Sequence, residues 1–138
     1  PVANEAGVAK VIQRINSRLL TTEEEHFDPK GERTLNGFGF HRAQAKYDTF
    51  GNQVEGRAFG TSGKPTLAWA GYHRWTATYD LNRRKTSVRF FGLDDRPILV
   101  QNRYHGWTMQ YDVEGSVVAR QYFGTDDEPI LMPAPTAP

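Results

Sequence analysis

The sequence contains no cysteine, which excludes disulfide bonds and metal sites built on thiolates. It also has no apolar run long enough to cross a bilayer as a helix, so we expect no membrane span. Positive charge is not concentrated in one region: the formal net charge is +1, whereas nucleic-acid-binding domains usually carry a basic face. We therefore expect no nucleic-acid partner.

Signatures of catalysis are missing as well. The sequence has no nucleophile–base pair, no glycine-rich phosphate loop followed by a helix pattern and no zinc-binding spacing. These absences predict a protein that is not an enzyme and that holds no cofactor and no metal.

Hydrophobic residues are also few, at 38% of the 138 residues, which favours a thin or elongated core in one domain. Glycine and proline are plentiful instead, with 13 and 8 copies, and they favour many turns over long helices.

One sequence unit recurs every 32 residues. The spacing relates His41, His73 and His105, and it holds for tyrosines, aspartates and phenylalanines at Tyr47, Tyr79, Tyr111, Asp48, Asp80, Asp112, Phe27, Phe59, Phe91 and Phe123. A fixed period of this kind is typical of repeat proteins. We divide the chain into an N-terminal helix and linker, three repeats, a partial repeat and a Pro/Ala tail, at 1–26, 27–58, 59–90, 91–122, 123–131 and 132–138.

Each unit reads as a β-hairpin. In the copy at 59–90, Trp75, Ala77 and Tyr79 alternate with polar residues, the period-two pattern of a half-buried strand. An aspartate then starts a turn, and Gly51 and Gly115 suit its left-handed position, where Arg83 would be strained. We therefore predict a mainly β fold: an antiparallel meander of three 32-residue hairpin repeats.

The N-terminal segment shows helical spacing instead. Its apolar residues form a stripe with Asn4 as a plausible N-cap, at Val8, Val11, Ile12, Ile15 and Leu19. We predict an α-helix that caps the open end or face of the sheet, because terminal repeats need covering.

The unit resembles the tyrosine-aspartate (YD, or Rhs-type) bacterial β-hairpin repeats. The resemblance rests on Tyr47-Asp48-x-x-Gly51-Asn52 and on the partial match Tyr111-Asp112-x-x-Gly115, and it spans roughly residues 27–131. It implies a bacterial protein built from consecutive hairpins, often surface-exposed, secreted or multidomain. Such repeats usually act as shells, scaffolds or binding surfaces rather than as catalysts.

The recurring polar residues have two possible roles. His41, His73 and His105 are either metal ligands, since neutral imidazole binds transition metals, or half-buried residues that bond a neighbouring strand. Their recurrence in every copy favours the structural role. The acidic loops at 94–95 and 126–128 are either weak calcium sites or turns in which aspartate takes a glycine-like position, and we favour the turn.

Residues that break the repeat are better indicators of function, because the fold does not require them. Trp69 replaces Gly37 and Gln101 of the other copies and is either an aromatic binding anchor or a residue packed on the helix. The candidate binding residues are Trp69, Arg42, Arg74, Arg83 and Arg84.

These residues predict a non-catalytic scaffold or protein-interaction module within a larger protein or assembly. Its partner would be another protein or a neighbouring domain of the same polypeptide. The alternative is a ligand-binding module for a glycan or a metal, using Trp69, Trp75, Trp107 and the repeat histidines.

Overall fold

In the computed structural model, which describes residues 7–131, the chain forms one antiparallel sheet whose nine strands follow one another in chain order. The strands are β1 Lys10–Ile15, β2 Thr21–Phe27, β3 Arg42–Tyr47, β4 Gln53–Phe59, β5 Arg74–Tyr79, β6 Lys85–Phe91, β7 Gly106–Tyr111, β8 Val117–Phe123 and β9 Pro129–Ile130. The predicted antiparallel meander is confirmed. Over residues 7–131 there is no helix, and so none that could span a membrane. The predicted tail at 132–138 and the predicted N-cap Asn4 lie outside the described residues.

Eight of the strands form four equivalent hairpins. Their first strands begin at Lys10, Arg42, Arg74 and Gly106, a constant offset of 32 residues. Each hairpin has six paired positions and a register shift beside its turn. The predicted count of three repeats is therefore wrong, because a first hairpin lies largely within the segment 1–26 assigned to helix and linker.

The predicted N-terminal capping helix is wrong for the same reason. Apart from Val8, which precedes β1, its apolar stripe lies in β1 and the turn after it, and Lys10 pairs with Phe27 just as Arg42 pairs with Phe59. Asn16 shapes this turn, since its Oδ1 accepts the N–H groups of Arg18 and Leu20 at 2.9 and 3.1 Å. Pairing with β2 satisfies the backbone hydrogen-bonding groups of this segment, so the weak helical periodicity of its sequence does not determine its structure.

The Tyr-Asp pair has two separate structural roles. Asp80 Oδ1 accepts the N–H groups of Asn82 and Arg84 at 2.9 and 3.0 Å, which closes the turn of its own hairpin. Tyr79 donates its O–H to the carbonyl of Gln53, 2.7 Å away in the preceding hairpin. The same two kinds of bond recur at Asp48, Asp112, Tyr47 and Tyr111. The aspartate thus shapes each hairpin, and the tyrosine joins it to the hairpin before it.

We expect Tyr79→Phe to lower the free energy of unfolding by about 1 kcal/mol, because it removes one hydrogen bond and keeps the ring. Urea denaturation measures this loss. Tyr122→Phe is the matched control, since the Tyr122 hydroxyl has only a 3.4 Å contact with Arg120. Equal losses in the two variants would show that the bond to Gln53 does not join the hairpins.

The sheet has two different faces. On the aromatic face lie Tyr47, Trp75, Tyr79, Phe90 and Trp107; on the opposite, ion-pair face lie Arg42, Glu55, Arg57, Arg74 and Arg89. The core is on the aromatic face, where the connection after β6 folds over β5 and β6. It contains Ala77, Val88, Phe90 and Val100.

Candidate functional site

A cavity of about 500 Å³ lies on the aromatic face over the β3–β4 hairpin. Its floor consists of the small residues Ala43, Ala45, Gly56 and Ala58. At the equivalent positions, 32 residues later, the next hairpin carries Trp75, Ala77, Val88 and Phe90, which fill its core. The cavity therefore exists because the second hairpin lacks the bulky side chains of the third.

Aromatic side chains form most of the cavity wall: Phe38, Phe40, Tyr47, Trp69, Tyr72 and Trp75. Two of them lie so close to glycines that no side chain would fit there. A Cβ atom at Gly39 would overlap the Trp69 ring, and a Cβ atom at Gly56 would overlap the indole of Trp75. The two glycines thus allow two tryptophans to reach over the backbone into the cavity.

The wall on the β1–β2 side is polar. Gln13 donates its Nε2–H to Glu24 Oε1 at 3.0 Å, and the other carboxylate oxygen lies 3.9 Å from His26 Nε2. Glu24 in β2 pairs with Ala43 in the neighbouring strand β3, so the two side chains lie on the same face of the sheet, which is the face of the cavity. Among residues 7–131, no lysine or arginine forms an ion pair with Glu24. The cavity therefore places a carboxylate opposite aromatic rings.

Of the residues predicted to bind, Trp69 lies in this wall. It is 69% exposed, its backbone N–H donates to the carbonyl of Phe38 at 3.0 Å, and its ring rests on Gly39. The predicted packing against a helix does not occur, because the segment proposed for that helix forms β1. Trp69 instead packs on the preceding connection and keeps most of its surface free.

Arg42 and Arg74 lie on the ion-pair face, away from Trp69. Arg42 is 3.0 Å from Glu23 and lies 4.2 Å above the ring of Phe59. Arg74 is 2.9 Å from Asp95 and lies 3.8 Å above Phe91. The structure does not bring the two arginines together with Trp69 in one groove, because alternate strand residues point to opposite faces.

Arg83 and Arg84 join neighbouring turns. Arg83 has φ = 64°, as predicted for its left-handed position, and its Nε donates to Asn52 Oδ1 at 3.0 Å. Arg84 is 2.9 Å from Asp80 and lies 4.7 Å above the ring of Tyr111. Both side chains thus already have partners within the sheet.

The repeat histidines are buried and bonded to backbone. His73 is 2% exposed, its Nδ1 is 2.7 Å from the carbonyl of Ala58, and its ring meets Phe59 edge-on. His41 repeats this arrangement, with Nδ1 2.8 Å from His26 O, whereas Nδ1 of His105 lies 3.4 Å from the carbonyl of Ile98 in the connection after β6. The predicted structural role is confirmed. No group of three or more potential metal-ligating side chains occurs in the part of the chain that the structure describes.

His105 makes stability depend on pH. Burial lowers the pKa of its imidazole below the usual 6.5, and the nearby Arg89 charge acts in the same direction. Bonds to the carbonyls of Ile98 and Phe90 and the charge of Asp127 raise the pKa but do not reverse the shift. The unfolded chain therefore binds more protons than the folded one below about pH 6.5, so stability falls as pH decreases through that region.

We expect the free energy of unfolding to decrease between pH 7 and pH 5 in the wild type. The decrease should be smaller in His105→Gln, which cannot titrate in this range. Urea denaturation at several pH values measures both slopes. A variant with the same slope as the wild type would assign the proton uptake to another group.

The acidic loops take the predicted turn geometry. Asp95 and Asp127 have φ = 61° and 59° at the position that Gly63 occupies with φ = 83° in the preceding copy. Their carboxylates bond Arg74 and Arg89 on the ion-pair face. The glycine-like role is confirmed.

The floor of the cavity and Glu24 were not predicted from the sequence. A signal was present, because aligning the hairpins at 32-residue spacing shows that only the second has small residues at all four inward positions. No family model matches the chain, and no curated protein matches it. The resemblance to YD-type repeats therefore stays a prediction.

Proposed function

We propose that this chain is a non-catalytic β-repeat module that binds a protein partner, either a separate protein or a neighbouring domain of a larger polypeptide. The recurring histidines, aspartates and tyrosines support this, because they bond backbone groups within and between hairpins. Side chains that hold a fold together in this way are not available as a catalytic set. The resemblance to YD-type bacterial repeats agrees with a scaffold or binding role.

The observation that carries the proposal is a pair of exposed aromatic residues, Phe38 and Trp69. They are 72% and 69% exposed, and they are neighbours on successive connections, joined by a 3.0 Å backbone hydrogen bond. Both break the repeat pattern, and tryptophan is among the residues that dominate binding energy at interfaces. We therefore assign the partner-binding surface to this pair and the rim of the cavity beside it.

Capture of a partner from an extract of the source cells tests this assignment. Phe38→Ala/Trp69→Ala should abolish capture of a protein that the wild type retains. Leu81→Ala/Val113→Ala is the matched control, because these two residues are fully exposed at hairpin turns, and it should capture normally. Equal capture by both variants would contradict the assigned surface. Turnover of a substrate that one single substitution abolishes would contradict the non-catalytic role.

A ligand-binding module is the second candidate, and the cavity over the β3–β4 hairpin favours it. Its volume of about 500 Å³ is within the range of small-molecule sites, and six aromatic side chains line it. The repeat histidines do not support the metal form of this candidate, because Nδ1 of each faces a backbone carbonyl.

A further inference from the structure

We propose that the cavity over the β3–β4 hairpin binds an organic ammonium cation of the trimethylammonium type. This inference rests on the ligand-binding candidate above and adds the chemistry of the ligand. It does not depend on the protein-partner proposal.

The charges around the cavity favour a cation. Three charged residues border it, but the side chains of Glu23 and Arg57 lie on the ion-pair face, where Glu23 is 3.0 Å from Arg42 and Arg57 is 3.4 Å from Glu55. Glu24 is the exception, since its carboxylate has an amide and a histidine as neighbours but no lysine or arginine partner among the described residues. A ligand with a positive charge would neutralise it, whereas an anion would be repelled.

The aromatic wall favours an organic cation over a metal ion. The faces of tryptophan and tyrosine rings attract ammonium groups, and quaternary ammonium ligands are commonly recognised by several such rings together. Trp75 already makes a contact of this kind within the chain, since Lys85 Nζ lies 5.3 Å from the ring centroid. Lys85 does not line the cavity, so its ammonium group does not occupy the proposed site.

Both features come from residues that break the repeat. At the position of Glu24 the later hairpins have Gly56, Val88 and Arg120, so the carboxylate occurs in the first hairpin alone. The small floor occurs in the second hairpin alone, and Trp75 comes from the third. The repeat architecture thus brings a carboxylate, a floor of small residues and an aromatic wall from three successive hairpins to one place.

Titration of the purified chain with choline tests the proposal, and the chemical shifts of the backbone amides in NMR spectra measure binding. The key comparison is 3,3-dimethylbutan-1-ol, which has the shape of choline without its charge. We expect choline to shift amides around the cavity and to bind about tenfold more tightly than the uncharged analogue, as cation–π and ionic attraction together predict.

Two variants identify the groups responsible. Glu24→Gln should weaken choline binding several-fold and leave binding of the uncharged analogue unchanged; Glu114→Gln, at an exposed turn away from the cavity, should have no effect. Ala58→Phe introduces the residue that the third hairpin carries at the equivalent position, and it should abolish binding of both compounds by filling the cavity. The ammonium group could belong to a free small molecule or to a methylated lysine side chain, and Nε-trimethyllysine as a second probe separates these two sources. If Nε-trimethyllysine binds more tightly than choline, the ligand is a modified lysine side chain.

The outcomes distinguish this proposal from the candidate on which it rests. Equal affinity for choline and its uncharged analogue would overturn the ammonium assignment and retain a ligand-binding cavity. Binding of methyl β-glucoside without binding of choline would also overturn the ammonium assignment and retain a ligand-binding cavity. If none of the compounds shifts amides at the cavity, both the assignment and the ligand-binding candidate are wrong, whereas the partner-capture experiment is unaffected.

Discussion

Replacing His73 by alanine should lower the free energy of unfolding by about 3 kcal/mol. The substitution removes a ring that is almost completely buried beside Phe59, and it removes the 2.7 Å hydrogen bond to the carbonyl of Ala58, which keeps only the Thr66 N–H as a donor at 3.1 Å. Loss of the buried ring contributes about 2 kcal/mol and loss of one buried hydrogen bond about 1 kcal/mol. Urea denaturation at pH 7.5 measures the sum.

The other repeat histidines provide the comparison. His41→Ala should have a similar effect, because its Nδ1 bond is 2.8 Å long. His105→Ala should have a smaller one, since its Nδ1 lies 3.4 Å from the carbonyl of Ile98, a longer bond than those of His73 and His41. If His73→Ala is as stable as the wild type but loses an activity or a chelator-sensitive melting temperature, His73 has a functional role and the structural assignment is wrong.

Gly106→Ala should lower the free energy of unfolding by about 3 kcal/mol, although the equivalent residues Arg42 and Arg74 have long side chains. A Cβ atom at Gly106 would overlap the backbone oxygen of Val88 and would lie 3.0 Å from the ring of Phe123. Backbone cannot move aside as a flexible side chain does, so the extra atom forces the β6–β7 pairing apart. Thermal and urea denaturation both report the loss.

Gly124→Ala is the matched control for this prediction. A Cβ atom there would meet its nearest neighbour, in Ile130, at an ordinary 3.8 Å. We expect a change of less than about 1 kcal/mol at Gly124. If restoring the repeat residue with Gly106→Arg stabilises the protein, the close approach of β6 and β7 is wrong.

The repeat made most of the fold predictable from sequence. Tyr79 and Asp80 recur with their whole hairpin, so alternation and turn chemistry located six strands at 32-residue spacing. The prediction also extended to Arg83, whose left-handed backbone follows from its place in the turn. Because each copy of the repeat has the same turn and strand requirements, the sequence indicates the same hairpin several times, and the prediction of these strands is therefore reliable.

The first hairpin was mispredicted because its sequence obeys two periodicities at once. Val11 and Ile15 are four residues apart, which suits one face of a helix. Four is also an even spacing, so the same two residues suit one face of a strand. Asn16 in place of aspartate and Leu19 in place of glycine obscure the turn that Asp48 and Gly51 mark in the next hairpin. The pairing of β1 with β2 decides between the two patterns, and no local propensity contains that information.

The candidate site was only partly predictable. Trp69 stood out as an exposed aromatic residue that breaks the repeat, and it does line the cavity. Glu24, by contrast, is next to other glutamates in the sequence, and only the strand register places it on the face of Ala43. A cavity arises from missing side chains, which no motif describes.

The central claim is that four equivalent hairpins build this protein from its first strand onward. Backbone NMR of residues 7–27 tests it most directly. The account predicts extended-type Cα shifts for Lys10–Ile15 and a cross-strand contact between the backbones of Ile12 and Glu25. Helical shifts over residues 8–19, with sequential amide contacts and no contact to Glu25, would contradict it.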